Sequence, residues 1–191
     1  MTRDDLARLR ALDIDFESIG LLEPGVPQEP YFCTPLGAEH VGRTGCDGVH
    51  FVLLPGDERI FCVDPAMGEP DKYVLPVAED LRQFLSFLLF CRDSNPIAQL
   101  WWMEEEQFRS LLEEEQFRSL LEEDAAAHRE GCKPFLARRN KALEVIARAF
   151  SLAPADPYAP VQAMQAAFDP GILCFSDEYY DVLGIERTER S

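Results

Sequence analysis

Two periods alternate along this chain. Over residues 3–12, Leu6, Leu9 and Leu12 fall on one side of a short amphipathic helix. Residues 18–45 are rich in Gly and Pro and read as loop, with "EPGVPQEP" as a surface turn and one short strand at Tyr31–Thr34. The pattern then becomes β-like. "VHFVLL" (49–54) and "RIFCVDP" (59–65) flank the turn word "PGDE", which predicts an antiparallel hairpin. Ile60 and Cys62 should share one face and Phe61 and Val63 the other. "DKYVLPVA" (71–78) is a third strand, ended by Pro76.

Helical spacing returns at 78–93, where Leu81, Phe84, Leu85, Leu88 and Leu89 define a deeply buried helix with Glu79 and Asp80 at its start. A further helix is expected from Pro96 towards residue 104, another over 135–152 with Leu143, Ile146, Ala147 and Phe150 inward, and a short one over 161–168. The fold class is therefore α+β: a central, mostly antiparallel sheet flanked by helices, with a helical C-terminal half. A single domain over 1–191 is expected, with the sheet and buried helix in 31–95 and a helical extension over 96–191.

Within the helical half stands a duplication. Residues 104–124 read "EEEQFRSLLEEEQFRSLLEED", one nine-residue word written twice. In each copy Phe and two Leu share a helical face. An offset of nine residues turns a straight helix by about 900°, half a turn beyond two full ones, so the copies face opposite ways. Phe108, Leu111 and Leu112 should be buried, because Trp101, Trp102 and Met103 tie that copy to the core. Phe117 and Leu121 should sit at the edge. Arg138, Arg139 and Lys141 are close enough in sequence to meet the acids of the repeat.

Charge narrows the function classes. The formal net charge is −17, and residues 104–124 alone carry nine acids against two arginines. Phosphate binding needs clustered Lys and Arg, so naked nucleic acid and anionic membranes are not expected ligands. A basic protein partner is favoured by the same field. The candidate contact residues are Trp102, as an exposed aromatic anchor, and Glu113, Glu114, Glu115 and Phe117. A monomer or homodimer is expected.

Candidate chemistry is sparse. The start of the chain is charged, no run of 18 apolar residues exists, and the six cysteines are widely spaced, which points to free thiols in a reducing cytoplasm. No Walker A loop, Gly-x-Gly-x-x-Gly or Gly-x-Ser-x-Gly occurs, and no cofactor is expected. Cys33, His40, Cys46 and His50 have zinc-ligating side chains, but the spacing lacks a tight Cys-x2-Cys knuckle. Asp47-Gly48 before a strand marks a turn in which Gly48 takes positive φ.

The order of these elements resembles the SUKH superfamily, which includes the fungal cell-wall-synthesis regulator and many bacterial immunity proteins. The residues that carry the resemblance are Gly45, Asp47 and Gly48, then Val63-Asp64, Val77-Ala78 and Phe84-Leu85, within residues 31–90. It implies an α+β fold and a non-enzymatic role, since many relatives bind and neutralise a toxin domain, often a basic nuclease. The first expectation is thus a cytoplasmic protein-binding module. The alternatives are a metal-dependent hydrolase built on Cys33, His40, Cys46 and His50, and a housekeeping scaffold that self-associates through Phe117 and Leu121.

Overall fold

The computed structural model describes residues 2–66, 70–114 and 135–186. It is an α+β fold around a four-stranded antiparallel sheet in the order β1-β2-β3-β4, with flanking and C-terminal helices. The strands are β1 (Glu39–Arg43), β2 (His50–Leu53), β3 (Ile60–Val63) and β4 (Val74–Ala78).

The hairpin of β2 and β3 pairs His50 with Val63 and Leu53 with Ile60. Every residue of both strands is buried, because both faces of the sheet are covered. Phe51, Leu53, Ile60, Cys62 and Val77 face one core, and Val52, Leu54, Phe61, Val63 and Val74 face a second. Burial on both sides explains why these segments read as nearly unbroken apolar runs.

The first core is made with helices. α1 (Thr2–Arg10) contributes Leu6 and Leu9, and α2 (Leu81–Cys91) buries Leu81, Phe84, Leu85, Phe87, Leu88 and Leu89. The side chain of Asp80 caps α2 by accepting from the Gln83 N–H at 2.7 Å, and the Gln83 side chain accepts from the Glu79 N–H at 2.7 Å. After the single turn α3 (Asn95–Ala98) the chain kinks, and a fourth helix, α4, is described over 105–114. The expected continuous helix from Pro96 is thus broken by turns at 99–104. α5 (Phe135–Phe150) buries Leu143, Ile146 and Phe150.

The second core is closed by the chain's last segment. α6 (Tyr158–Ala166) packs on β4, and residues 173–180, including part of α7 (Asp177–Leu183), cover the second face with Leu173, Phe175 and Tyr179. Residues 168–183 therefore do more than extend the fold: they supply one wall of the sheet's second core.

Three sequence expectations are corrected. Tyr31–Thr34 is a turn, closed by the Thr34 N–H donating to the Tyr31 carbonyl at 2.8 Å, and it is no strand. Its place in the sheet is taken by β1, which lay unseen in the Gly- and Pro-rich segment. β1 is polar and contains Gly42, where a Cβ would stand 2.5 Å from Leu21 Cδ1. Its outer edge is covered by a bridge between Leu22 and Arg43. Third, Pro76 does not end β4. It sits inside this edge strand beside a register shift, and its carbonyl accepts from Gln165 Nε2 at 3.2 Å, on the side away from β3. No ladder N–H is needed there.

Candidate functional site

A pocket of about 580 Å³ opens on the second face of the sheet. Its roof is the strap 25–39, its floor is His40, His50 and Val52, and its far wall is Ser176 and Glu178 at the start of α7. The strap is stiffened by Pro27, Pro30 and Pro35, whose rings fix φ. The Leu36 N–H donates to the Cys174 carbonyl at 2.7 Å, which ties the strap to the C-terminal segment. Tyr31 and Leu36, 46% and 51% exposed, flank the mouth. Two further depressions share Gln28 and Tyr31 with it, so the surface continues as a groove past Arg43.

The floor is a ring stack. Tyr31 and His40 both stack on His50, with centroids 5.5 Å and 6.0 Å away. The bulge in β1 between His40 and Gly42 turns Val41 into the first core while His40 joins the second face. His50 Nδ1 lies 2.7 Å from the Gly48 carbonyl and Nε2 lies 3.2 Å from Thr34 Oγ1. A carbonyl can only accept, so Nδ1 carries the proton and the Thr34 hydroxyl donates to Nε2 of the neutral ring. Thr34 Oγ1 in turn accepts the Tyr31 N–H at 3.0 Å. Burial pushes the His50 pKa down, against the pull of the Gly48 carbonyl.

His40 is held more severely. Burial, then the neighbouring charge of His50, push its pKa down to about 4. Both ring nitrogens are buried and make no hydrogen bond; the Val26 backbone nearby is only the weakest influence on the ring. Two neutral imidazoles therefore lie beneath the pocket at neutral pH.

Carboxylates dominate the pocket's charge. Glu29, Glu39 and Glu178 line it, and no Lys or Arg does. Glu39 accepts from Arg3 Nε at 2.9 Å. Glu29 and Glu178 are exposed and have no ion-pair partner among the described residues.

The sequence-derived sites fare unequally. Of Cys33, His40, Cys46 and His50, only the two histidines come together. Cys33 is buried in the second core with its thiol pKa pushed up to about 12 by burial. Cys46 is on the exposed turn, 3.7 Å from Asn95 Oδ1. Among the described residues no group of three His, Cys, Asp or Glu side chains is placed to hold a metal ion. The reason is geometric: the strap turns at Tyr31–Thr34 and sends Cys33 inward. Trp102 is 50% exposed while Trp101 packs on the second core. Glu113 and Glu114 are exposed on α4. Glu115 and Phe117 lie outside the described residues. None of Trp102, Glu113 and Glu114 lines the pocket.

Tyr31, Thr34, Leu36, Glu29 and Glu178 were missed as site residues. The proline spacing of the strap was the available signal for the first four. Nothing local to Glu178 marks it, since folding alone brings it across from residue 50. No family model matches the chain, and neither a curated protein nor a solved structure is significantly similar to it.

Proposed function

We propose that this chain is a non-enzymatic protein-binding module, similar in role to SUKH immunity proteins, and that it seats a segment of a basic partner in the pocket under the strap 25–39. The observation that carries the reading is the pocket's composition: apolar walls, two exposed apolar side chains at the mouth, and carboxylates as its charged lining. A pocket of this size that combines apolar wall with convergent polar groups is the usual form of a binding site. A charge of −17 would draw a basic domain such as a toxin nuclease, with an on-rate that falls as salt rises.

The test is rescue of cells from the toxin encoded beside the gene, with binding of the purified toxin followed by calorimetry. The chain should rescue, and Leu36→Lys, an exposed change, should weaken binding by about tenfold or more. No rescue and no binding would overturn the reading.

A second reading has one observation in its favour. The fold hydrogen-bonds the Thr34 hydroxyl to a neutral His50 oriented by the Gly48 carbonyl. That is the arrangement of a nucleophile, a base and an orienting group. Labelling of Thr34 by a fluorophosphonate probe, lost in His50→Ala, would favour hydrolysis over binding.

A further inference from the structure

We propose that the pocket recognises an arginine side chain, presented by an extended segment of the partner. This inference rests on the binding function proposed above and names its chemistry.

Each part of an arginine has a counterpart in the lining. The aliphatic stem needs apolar wall, which Pro35, Leu36, Ala38 and Val52 provide. The guanidinium needs acceptors, and Glu29 and Glu178 are carboxylates on different segments that no cation of the described chain occupies. The planar group also favours an aromatic face. Tyr31 offers one: its ring stacks on His50, its backbone is pinned to Thr34, and it remains 46% exposed. Ordering that ring therefore costs little on binding.

Other ligands fit less well. An anion would meet three carboxylates and no cation. A lysine would gain the charge but not the fork that can bridge two carboxylates, and its ammonium is more strongly hydrated. The neutral histidines leave no positive charge beneath the site to oppose a cation. The volume, about 580 Å³, exceeds one side chain, so the residues flanking the arginine enter as well. The adjoining groove past Gln28 and Tyr31 gives an extended segment a path.

The experiment uses the full chain and three probe peptides, Ac-Gly-Leu-Arg-Leu-Gly-NH2 and its lysine and citrulline analogues. Binding is followed by calorimetry and by amide chemical shifts. The arginine peptide is expected to bind and to shift the amides of residues 29–36. Citrulline keeps the shape and loses the charge, so it should bind about tenfold more weakly, with lysine between them. The double variant Glu29→Gln, Glu178→Gln changes only exposed side chains, and its fold is checked by circular dichroism. It should lose about tenfold for arginine and little for citrulline. Equal affinity for arginine and citrulline, or an unchanged double variant, would overturn the proposal. So would failure of all three peptides to bind at millimolar concentration. If a protein partner still binds and Leu36→Lys weakens it, the binding function survives and only the arginine is lost. If the partner binds Leu36→Lys normally, the pocket itself is the wrong surface.

Discussion

His40 is the most exacting residue of the site. Its ring is polar, buried and without a hydrogen bond. Such a group destabilises the folded state, so His40→Leu should raise stability by about 1 kcal/mol at neutral pH, seen as a higher urea midpoint. The pH dependence has a definite sign. Burial takes the ring's pKa from its ordinary 6.5 in the unfolded chain down to about 4 in the fold. Above 6.5 it is neutral in both states; between these values only the unfolded chain takes up the proton. Stability should therefore fall as pH drops from 6.5 towards 4, and the His40→Leu variant should lose less over that window. A wild type whose midpoint tracks the variant at pH 8, 6 and 5 would contradict this. Gly48 is the other sensitive position. It has φ +73°, and a Cβ there would lie 2.7 Å from Tyr31 Cζ. Gly48→Ala should cost about 1–2 kcal/mol from the left-handed backbone alone and displace the Tyr31 ring, which its side-chain resonances would report. That glycine's conformation was legible in the word "CDGVH", but its service as the bed of Tyr31 was not, because the two residues meet only through the turn at 31–34.

The first copy of the nine-residue word behaves as its spacing implies. Phe108 is fully buried and stacks on Tyr158, while Leu111 and Leu112 are half-buried against the first core. Phe108→Ala should cost about 3–5 kcal/mol and Trp102→Ala, at an exposed position, within about 0.5 kcal/mol. Chemical denaturation of the two variants side by side would check this, and similar losses would show that Trp102 is part of the packing. The second copy from Glu115 onward lies outside the described residues. Among the described residues, Arg138 meets Asp15 at 2.5 Å, and Arg139 donates to the Ser18 carbonyl at 2.8 Å and reaches Asp93 at 3.5 Å. The acids of the repeat from Glu115 onward, which these cations were expected to meet, lie outside the described residues. Arg139 and Asp93 are largely buried, with side chains 8% and 14% exposed. Arg139→Met should cost about 3 kcal/mol, because it leaves a buried carboxylate without its cation. A drop of under half a kcal/mol in the same denaturation assay would show that the pair is merely tolerated. The basic stretch of α5 thus joins the residue after α2's C-terminal cap, Asp93, to the turn at 17–19.

At the scale of the molecule, the sheet is a layer between two cores, and the second depends on residues 168–183. Removing residues 168–191 should uncover Phe61, Val63 and Val74 and delete the Glu178 wall of the pocket. The shortened chain should bind a hydrophobic dye such as ANS and aggregate at concentrations where the full chain stays clear; indifference to the truncation would mean that the second face is closed by other means. The excess of acid acts at this scale too. Residues 104–124 alone hold nine acids against two arginines, and the effect of the excess on a basic partner should appear as an association rate that declines with ionic strength.

The sequence by itself determined the elements whose signals are local. The β2–β3 hairpin, α2 and the inward face of α5 are each written in residues a few positions apart, through alternation, helical spacing and capping at Asp80. The division of Ile60 and Cys62 from Phe61 and Val63 follows from the same alternation. Only the tertiary structure decided β1, the continuation of β4 through Pro76, and the pocket. A short polar edge strand is stabilised by its neighbour and not by its own residues, and a proline is acceptable in a strand only if that strand proves to be an edge. His40 and His50 could be picked out by residue type as chemically interesting. Their meeting with Tyr31, Glu29 and Glu178 could not, because the second face closes only when residues 173–180 return from the far end of the chain, and that closure is a product of packing that no local pattern encodes.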